Sequence, residues 1–409
     1  MTVAGRRAAL ALALSGAVRQ LSASRAGRTP RLSAVTHDMR ILSVFGTRPE
    51  AIKMAPVVRR LAATRGITPL VCVTAQHRQM LDQVLALFAI HPDRDLDIMR
   101  AGQGLTWITT AVLERLAGVY AELRPDLVLV QGDTTTTFAA ALAAFYAKVP
   151  VGHVEAGLRT GNVLSPWPEE MNRRLTTVIA RWHFPPTPAA RDNLLREGID
   201  PAAITVTGNT VIDALLEAVA MLEADPARAA ALDAALPAFD PAKRLILVTG
   251  HRRENFAGGL DRVAAGLLRL AARGDVEIVY PVHLNPNVRE VAARVLGAHP
   301  AIHLIDPLDY LPFVNLMRRS ALIITDSGGV QEEAPSLGKP VLVTRDTTER
   351  PEAVAAGTVE LVGTETEVLV ARATRLLDDA AAYRAMSVAH NPYGDGQAAA
   401  RIVEALLHG

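Results

Sequence analysis

Only one cysteine, Cys72, occurs in the 409 residues, so no internal disulfide can form and the chain suits a reducing compartment. It lies within the apolar run from Pro69 to Val73 with no cation adjoining it, which reads as a small core residue rather than a reactive thiol. An excess of either charge is also missing: 43 Lys plus Arg nearly cancel 42 Asp plus Glu. No global field therefore recruits nucleic acid or an anionic membrane, and anion binding must be local. Beyond the N-terminus no apolar stretch approaches the roughly 20 residues that span a bilayer, so a body without membrane insertion is expected, in the cytoplasm. A GxGxxG pattern is absent too, which excludes dinucleotide binding of the usual kind. What the chain has is bulk, with 50% hydrophobic and 21% charged residues, enough for the cores of two ordinary domains.

Residues 1 to 38 are rich in Ala, Arg and Ser and hold no acid before Asp38. Arg6 and Arg7 before Ala8 to Leu14 fit a signal peptide, and the composition also fits a transit-like presequence. We favour a start at Met39, with 1 to 38 a disordered extension if translated. From Ile41 onward, short apolar runs alternate with stretches of helical period. Strands are expected at 41–45, 69–74, 127–131, 150–154 and 204–207, then in a second series at 244–249, 277–282, 301–305, 321–325, 340–343 and 358–362. Ala214 to Lys243, with Pro226, Pro237 and Pro241, reads as a helix plus an interdomain connection. The fold class is α/β, with two Rossmann-like, doubly wound domains at 39–212 and 213–388 and a last helix in 389–409. Ligands of such sheets sit at the carboxyl ends of the strands, which points to the cleft between the domains.

The polar residues fall at those ends. Asp326-Ser327-Gly328-Gly329-Val330-Gln331-Glu332-Glu333 follows an apolar run and opens a helix, so the amides of Ser327, Gly328 and Gly329 would face a phosphate, with Glu332 or Glu333 on a ribose. Arg48 and Lys53 follow the first strand and reach one anion only if both project from the turn. Asp133 precedes Thr134 to Thr137 and is a candidate N-cap. The threonine run, poor for a helix, would be explained by hydroxyls lining the cleft. Glu155 ends a buried strand, while Glu169 and Glu170 open a helix, where acids also favour the helix dipole. Acids from separate loops of one cleft form a proton-transfer set. His251, Arg252 and Arg253 read as an anion clamp, since His251 has no partner at a metal-ligand spacing, and Arg350 is placed to meet a diphosphate.

Ten ordered segments carry a resemblance: FGTRPEAIKMAPV, TAQHRQMLDQVL, QGDTTTTFAAALAAF, HVEAGLRTGN, SPWPEEMNRR, VTGNTVIDAL, GHRREN, YPVHLNPNV, TDSGGVQEEAPSLGKPV and RDTTERPEAV. Over roughly residues 40 to 409 the chain resembles the non-hydrolysing UDP-N-acetylglucosamine 2-epimerases. The resemblance implies a GT-B arrangement, usually a homodimer, and epimerisation at C2 through UDP elimination and re-addition, with no cofactor and no metal. It implies Asp133, Glu155, Glu169 and His251 as the catalytic set. Arg48, Lys53, Phe313, Ser327, Gly328, Gly329, Glu333 and Arg350 would bind the UDP-sugar. Gln76, His77, Gln79, Gln103, Arg252 and His283 match or adjoin a second, activating UDP-sugar site of bacterial members. Gly102 stands where some of these carry arginine, and Leu308 where some carry a polar residue. A hydrolysing epimerase or a GT-B glycosyltransferase shares enough of the pattern to be the alternative.

Overall fold

The computed structural model describes residues 38–408 apart from 77, 101, 253, 254 and 257. The expectations for the N-terminal extension, for His77 and for Arg253 lie outside the described residues. Among the described residues, twelve strands form two six-stranded parallel sheets. The first holds β1 (Met39–Phe45), β2 (Ile67–Val73), β3 (Arg94–Asp95), β4 (Leu127–Gln131), β5 (Val151–Val154) and β6 (Trp182–Phe184) in the order β3-β2-β1-β4-β5-β6. The second holds β7 (Arg244–Thr249), β8 (Val276–Pro281), β9 (Ile302–Ile305), β10 (Leu322–Thr325), β11 (Val341–Val343) and β12 (Val359–Leu361), ordered β12-β11-β10-β7-β8-β9. Structures of this order reverse direction between the first and fourth strands, so each sheet has its own crevice there. The crevices lie beyond β1/β4 and beyond β7/β10.

The strands are apolar throughout because both faces of each sheet are covered. In β1, Ile41 and Phe45 join one apolar cluster and Leu42 and Val44 another, as the two-residue repeat requires. Cys72 is wholly buried in β2, and burial pushes its thiol up to about 12, as befits a core residue.

The expected strand at 204–207 is replaced at the sheet edge by β6. Thr205 and Thr207 donate to the carbonyls of His183 and Pro185, but only one ladder bridge forms, His183 with Ile204. Pro185 and Pro186 have no N–H with which to answer, so the pairing stops. The helix Thr210–Ala224 runs through 212/213, where the sequence reading divides the domains. It packs on the helices Arg48–Ala62 and Tyr310–Arg319, one from each half. The final helix Ala398–His408 packs on Arg48–Ala62 and Thr210–Ala224, and its first two amides donate to Asp213 at 3.2 and 2.9 Å. One apolar cluster thereby runs from Phe45 through Leu215 and Ile402 to Leu316, joining the two halves.

Candidate functional site

At the first crevice the backbone turns on Glu50. Its carboxylate accepts from the amides of Gly46 (3.0 Å) and Thr47 (2.7 Å) and from the hydroxyls of Thr134 (2.6 Å) and Thr137 (3.2 Å). This answers the question of the threonine run differently from the sequence reading. Thr136 and Thr137 are wholly buried, and their hydroxyls knit the loops after β1, β2 and β4 together rather than lining the cleft. Thr134, not Asp133, caps the helix Thr135–Tyr146, accepting from the Thr137 amide. Asp133 is thereby left free for other partners. Gly46 has no alternative residue, because a Cβ there would lie 1.9 Å from the Thr74 hydroxyl oxygen.

Three acids meet beside this turn. Glu155 sits in the left-handed region at φ 62°, a conformation that costs a non-glycine residue about 1 kcal/mol or more and aims its side chain inward. Both its oxygens accept from Lys53 Nζ at 2.7 Å, and it also accepts from Gln131 Nε2 and, at 3.1 Å, from Asn209 Nδ2. Burial pushes Glu155 up, but Lys53, Arg350 and the Asn209 amide outweigh it, and the carboxyl lies below its ordinary range. Asp133 goes the other way. Burial and the nearby charges of Glu155 and Glu169 raise it, opposed by Arg173, whose Nη1 is 2.9 Å from Asp133 Oδ2. The same guanidinium pairs with Glu170 at 3.0 Å. Glu170 is fully buried and also accepts from Arg174 and the Thr160 amide, so it is a structural acid, while Glu169 is part-exposed and pairs with none of the described residues. His153, pushed down to about 3 by burial and therefore neutral, bonds the Gly132 carbonyl at 2.8 Å and fixes the loop that carries Asp133.

The second crevice turns on Asp326. Fully buried, it accepts from the amides of His251 and Arg252, both at 2.8 Å, and lies 3.2 Å from His251 Nδ1. His251 stacks on His283 with ring centroids 5.3 Å apart. The amides of Gly328 and Gly329 open the helix Gly328–Glu333 and donate to no described protein group, as expected at a helix start. Ser327 differs from expectation: its amide donates to Thr325 Oγ1 at 2.9 Å because the turn folds back on its own strand. A Cβ on Gly328 would lie 3.9 Å from guanidinium nitrogens of both Arg252 and Arg350, so cations flank the bare backbone. Glu332 and Glu333 differ in what holds them. Glu332 is engaged by Arg350 Nε and by Asn209 Nδ2 at 3.2 Å. Glu333 Oε2 accepts from the Tyr310 hydroxyl at 3.0 Å, and no described residue bonds Oε1. Burial pushes its carboxyl up to about 7.

A cavity of about 470 Å³ joins the two crevices. Arg48, Lys53, His251, His283, Phe313, Ser327, Gly329, Glu333 and Arg350 all line it, from both halves of the chain. Arg48 spans it, donating to the Leu308 carbonyl at 3.2 Å. Asp133, Glu155 and Glu169 are not in its wall. Glu155 stands one hydrogen bond behind Lys53, and the other two lie beside it. Of the residues expected at a second site, Gln103 Nε2 donates to the Gln76 carbonyl at 3.2 Å and Gln79 is exposed, all away from the cavity, whereas Arg252 and His283 stand in the second crevice. Among the described residues no cluster of three His, Cys, Asp or Glu is arranged for a metal, and no helix is long and apolar enough to cross a membrane. Sequence reasoning missed Arg173, His153 and Asn209, whose partners are fixed only by the fold. The Gly208-Asn209 step before a helix is the one local signal, and by itself it marks no more than a cap.

The family model described as UDP-N-acetylglucosamine 2-epimerase matches residues 59–407. The UDP-N-acetylglucosamine 2-epimerase of Escherichia coli K12 is 61% identical over 369 residues, covering 90% of this chain and 98% of that relative. The solved UDP-GlcNAc 2-epimerase of Neisseria meningitidis, bound to UDP-GlcNAc, is 54% identical with a TM-score of 0.85 and covers 91% of this chain and 100% of that one. That of Methanocaldococcus jannaschii, in complex with UDP-GlcNAc and UDP, is 34% identical with a TM-score of 0.75, at 91% and 100% coverage.

Proposed function

The chain belongs to the UDP-N-acetylglucosamine 2-epimerase family, and from that premise we propose that it interconverts UDP-N-acetylglucosamine and UDP-N-acetylmannosamine reversibly, without net hydrolysis. One observation carries the reading: an acid cluster with opposed protonation tendencies, Glu155 lowered and Asp133 raised, abuts a cavity lined with cations at a GT-B-type interdomain cleft. Two carboxyls held apart in acidity suit one to take a proton and the other to give one.

In the proposed reaction a carboxylate of the Asp133, Glu155 and Glu169 set removes the proton at C2. The C2–H electron pair forms the C1–C2 double bond of 2-acetamidoglucal, and the C1–O bond breaks with its pair going to the diphosphate. Re-addition of UDP at C1 with protonation on the opposite face of C2 gives the epimer. Because the C2 hydrogen is scarcely acidic, charge leaving with UDP must be met as it develops. Arg48, His251 and Arg350 are assigned that task, with the Gly328 and Gly329 amides on the phosphates. Glu333 Oε1 is assigned the ribose hydroxyls and Phe313 the uracil. Lys53 holds Glu155 as a carboxylate between turnovers. The cavity volume is within the range of small-molecule sites.

We assign the chain as a cytoplasmic homodimer that supplies N-acetylmannosamine units for cell-surface polysaccharide. The dimer reading is supported by the helices Thr135–Tyr146 and Glu169–Ile179, which pack together and leave Phe145, Tyr146, Met171, Leu175 and Val178 exposed on one half. Val178→Asp is expected to shift the mass by light scattering from dimer to monomer. The reaction is tested by proton NMR of the purified chain with UDP-GlcNAc in deuterated water. Deuterium at C2 in both UDP-sugars at equilibrium is the expected result. Free N-acetylmannosamine with UDP would replace the reading by a hydrolase, and binding without exchange would replace it by a transferase.

A further inference from the structure

Asn209 is a buried amide shared between the two halves of the site. Its Nδ2 donates both to Glu155 Oε1 at 3.1 Å and to Glu332 Oε2 at 3.2 Å. Its Oδ1 accepts from the Val211 amide at 3.1 Å and caps the helix Thr210–Ala224, and its own amide donates to the Tyr393 carbonyl at 2.6 Å. Both side-chain amide hydrogens and the side-chain oxygen are therefore engaged by the fold, and the residue is only 2% exposed. Glu155 belongs to the first crevice and is held by Lys53, while Glu332 belongs to the second and is held by Arg350. The five groups form one bonded series, Lys53, Glu155, Asn209, Glu332, Arg350, with Asn209 at its centre and a cavity-lining cation at each end.

We propose that Asn209 is a positioning residue that ties the orientation of the acid-cluster carboxylate Glu155 to the placement of the UDP-facing Arg350, so that nucleotide seated in one half sets the geometry of proton transfer in the other. The assignment rests on the epimerase reading above. A helix cap needs only an oxygen, and Ser or Asp serves it as well as Asn. Only an amide donates simultaneously to two carboxylates without adding charge. That double use explains Asn at this position where a cap alone does not. The neighbouring segment reinforces the tie: Gly208 and Gly394 pass so closely that a Cβ on Gly208 would lie 3.4 Å from the Gly394 Cα, and both adopt positive φ.

Asn209→Ser keeps a cap oxygen and removes the shared amide; Asn209→Asp keeps the cap and replaces the donor with a third carboxylate. Misplacing a reacting group by about 1 Å costs on the order of 100-fold, so kcat is expected to fall about that much in Asn209→Ser and further in Asn209→Asp. UDP affinity in Asn209→Ser should stay within about threefold, since Arg350 keeps Glu332. The acidic limb of the kcat profile should move to higher pH in both, because Glu155 loses a donor that favours its charged form. Lys53, Arg350, Asp133, Glu332 and His153 also face Glu155, and they are unchanged in the variants. Full-length folded variants with wild-type kcat and an unmoved limb would overturn the assignment, as would a loss of kcat matched by an equal loss of UDP affinity. If the wild type itself exchanges no deuterium at C2, the epimerase reading falls and this role with it; if it does, failure of the variants to respond bears on Asn209 alone.

Discussion

The two crevices have the same strand order and opposite chemistry. In the first, almost every polar group is already engaged: Glu50 with four donors, Glu155 with Lys53, Gln131 and Asn209, and Glu170 with two arginines. In the second, the amides of Gly328 and Gly329 donate to no described group, and Gly329, Phe313 and Glu333 stand in the cavity wall, Glu333 with one oxygen that no described group bonds. Under the proposed reaction this division is useful: acids assigned to proton transfer are locked by their surroundings, whereas groups assigned to the departing anion keep their bonds for it. The difference teaches that one topology has been given a rigid mouth at one crevice and a receptive mouth at the other.

The contrast can be broken most severely at Glu155. Glu155→Gln should lower kcat by about 10² to 10⁴, the usual worth of a positioned acid or base, while UDP affinity changes by less than about threefold. Turnover near wild type, measured by C2 exchange, would remove the rigid mouth from the chemistry. Arg350→Ala attacks the other mouth and should weaken UDP binding by about 10- to 100-fold by calorimetry, the worth of a charged hydrogen bond of about 1.5–3 kcal/mol. An unchanged affinity would refute its placement on the diphosphate.

Glu333 sharpens the comparison through pH. Its carboxyl is raised from 4.5 to about 7, so between those values the folded state binds more protons than the unfolded state. Stability contributed by this group is full below about 4.5 and is lost as pH rises to about 7. Glu333→Gln should therefore melt closer to, or above, wild type at pH 8 relative to its position at pH 4.5; parallel melting curves at the two pH values would contradict the burial argument. In the wild type, UDP affinity should rise through pH 7 as Oε1 becomes a charged acceptor for ribose. The smallest effect expected is that of Thr137→Val, which removes a buried hydroxyl bonded to the Gln131 carbonyl and Glu50 and should cost about 1–2 kcal/mol of stability by denaturant unfolding.

Much of this was legible from the residues. Apolar runs located ten of the twelve strands, and the motif residues at their ends fell into the two crevices because parallel sheets bring those ends together. β3 and β6 were not legible, since two or three residues paired at a sheet edge leave no periodic pattern. The run 204–207 misled because alternation signals an extended chain but not whether its neighbour has N–H groups to pair with. Within the site, residue type and position at a strand end located the acids and cations. What they bond did not follow: Asn209 and Glu332 are 123 residues apart, and nothing local distinguishes a shared amide from a cap. The threonine run is the converse case. Its unusual composition was visible, but only the fold reveals that Thr134 and Thr137 bond Glu50 and that Thr136 bonds Thr74 and Gln76.

The final helix carries a consequence for how the chain comes to be folded. Ile402, Val403 and Leu406 are almost wholly buried, in the same cluster as Met54 and Leu61 of the helix Arg48–Ala62. More than 300 residues separate the two helices, and at about 5–20 residues per second the earlier one waits tens of seconds for its cover. During synthesis the first half therefore emerges with an apolar stripe exposed. Residues 398–408 close it, which gives a product truncated before them every reason to aggregate and little means to persist.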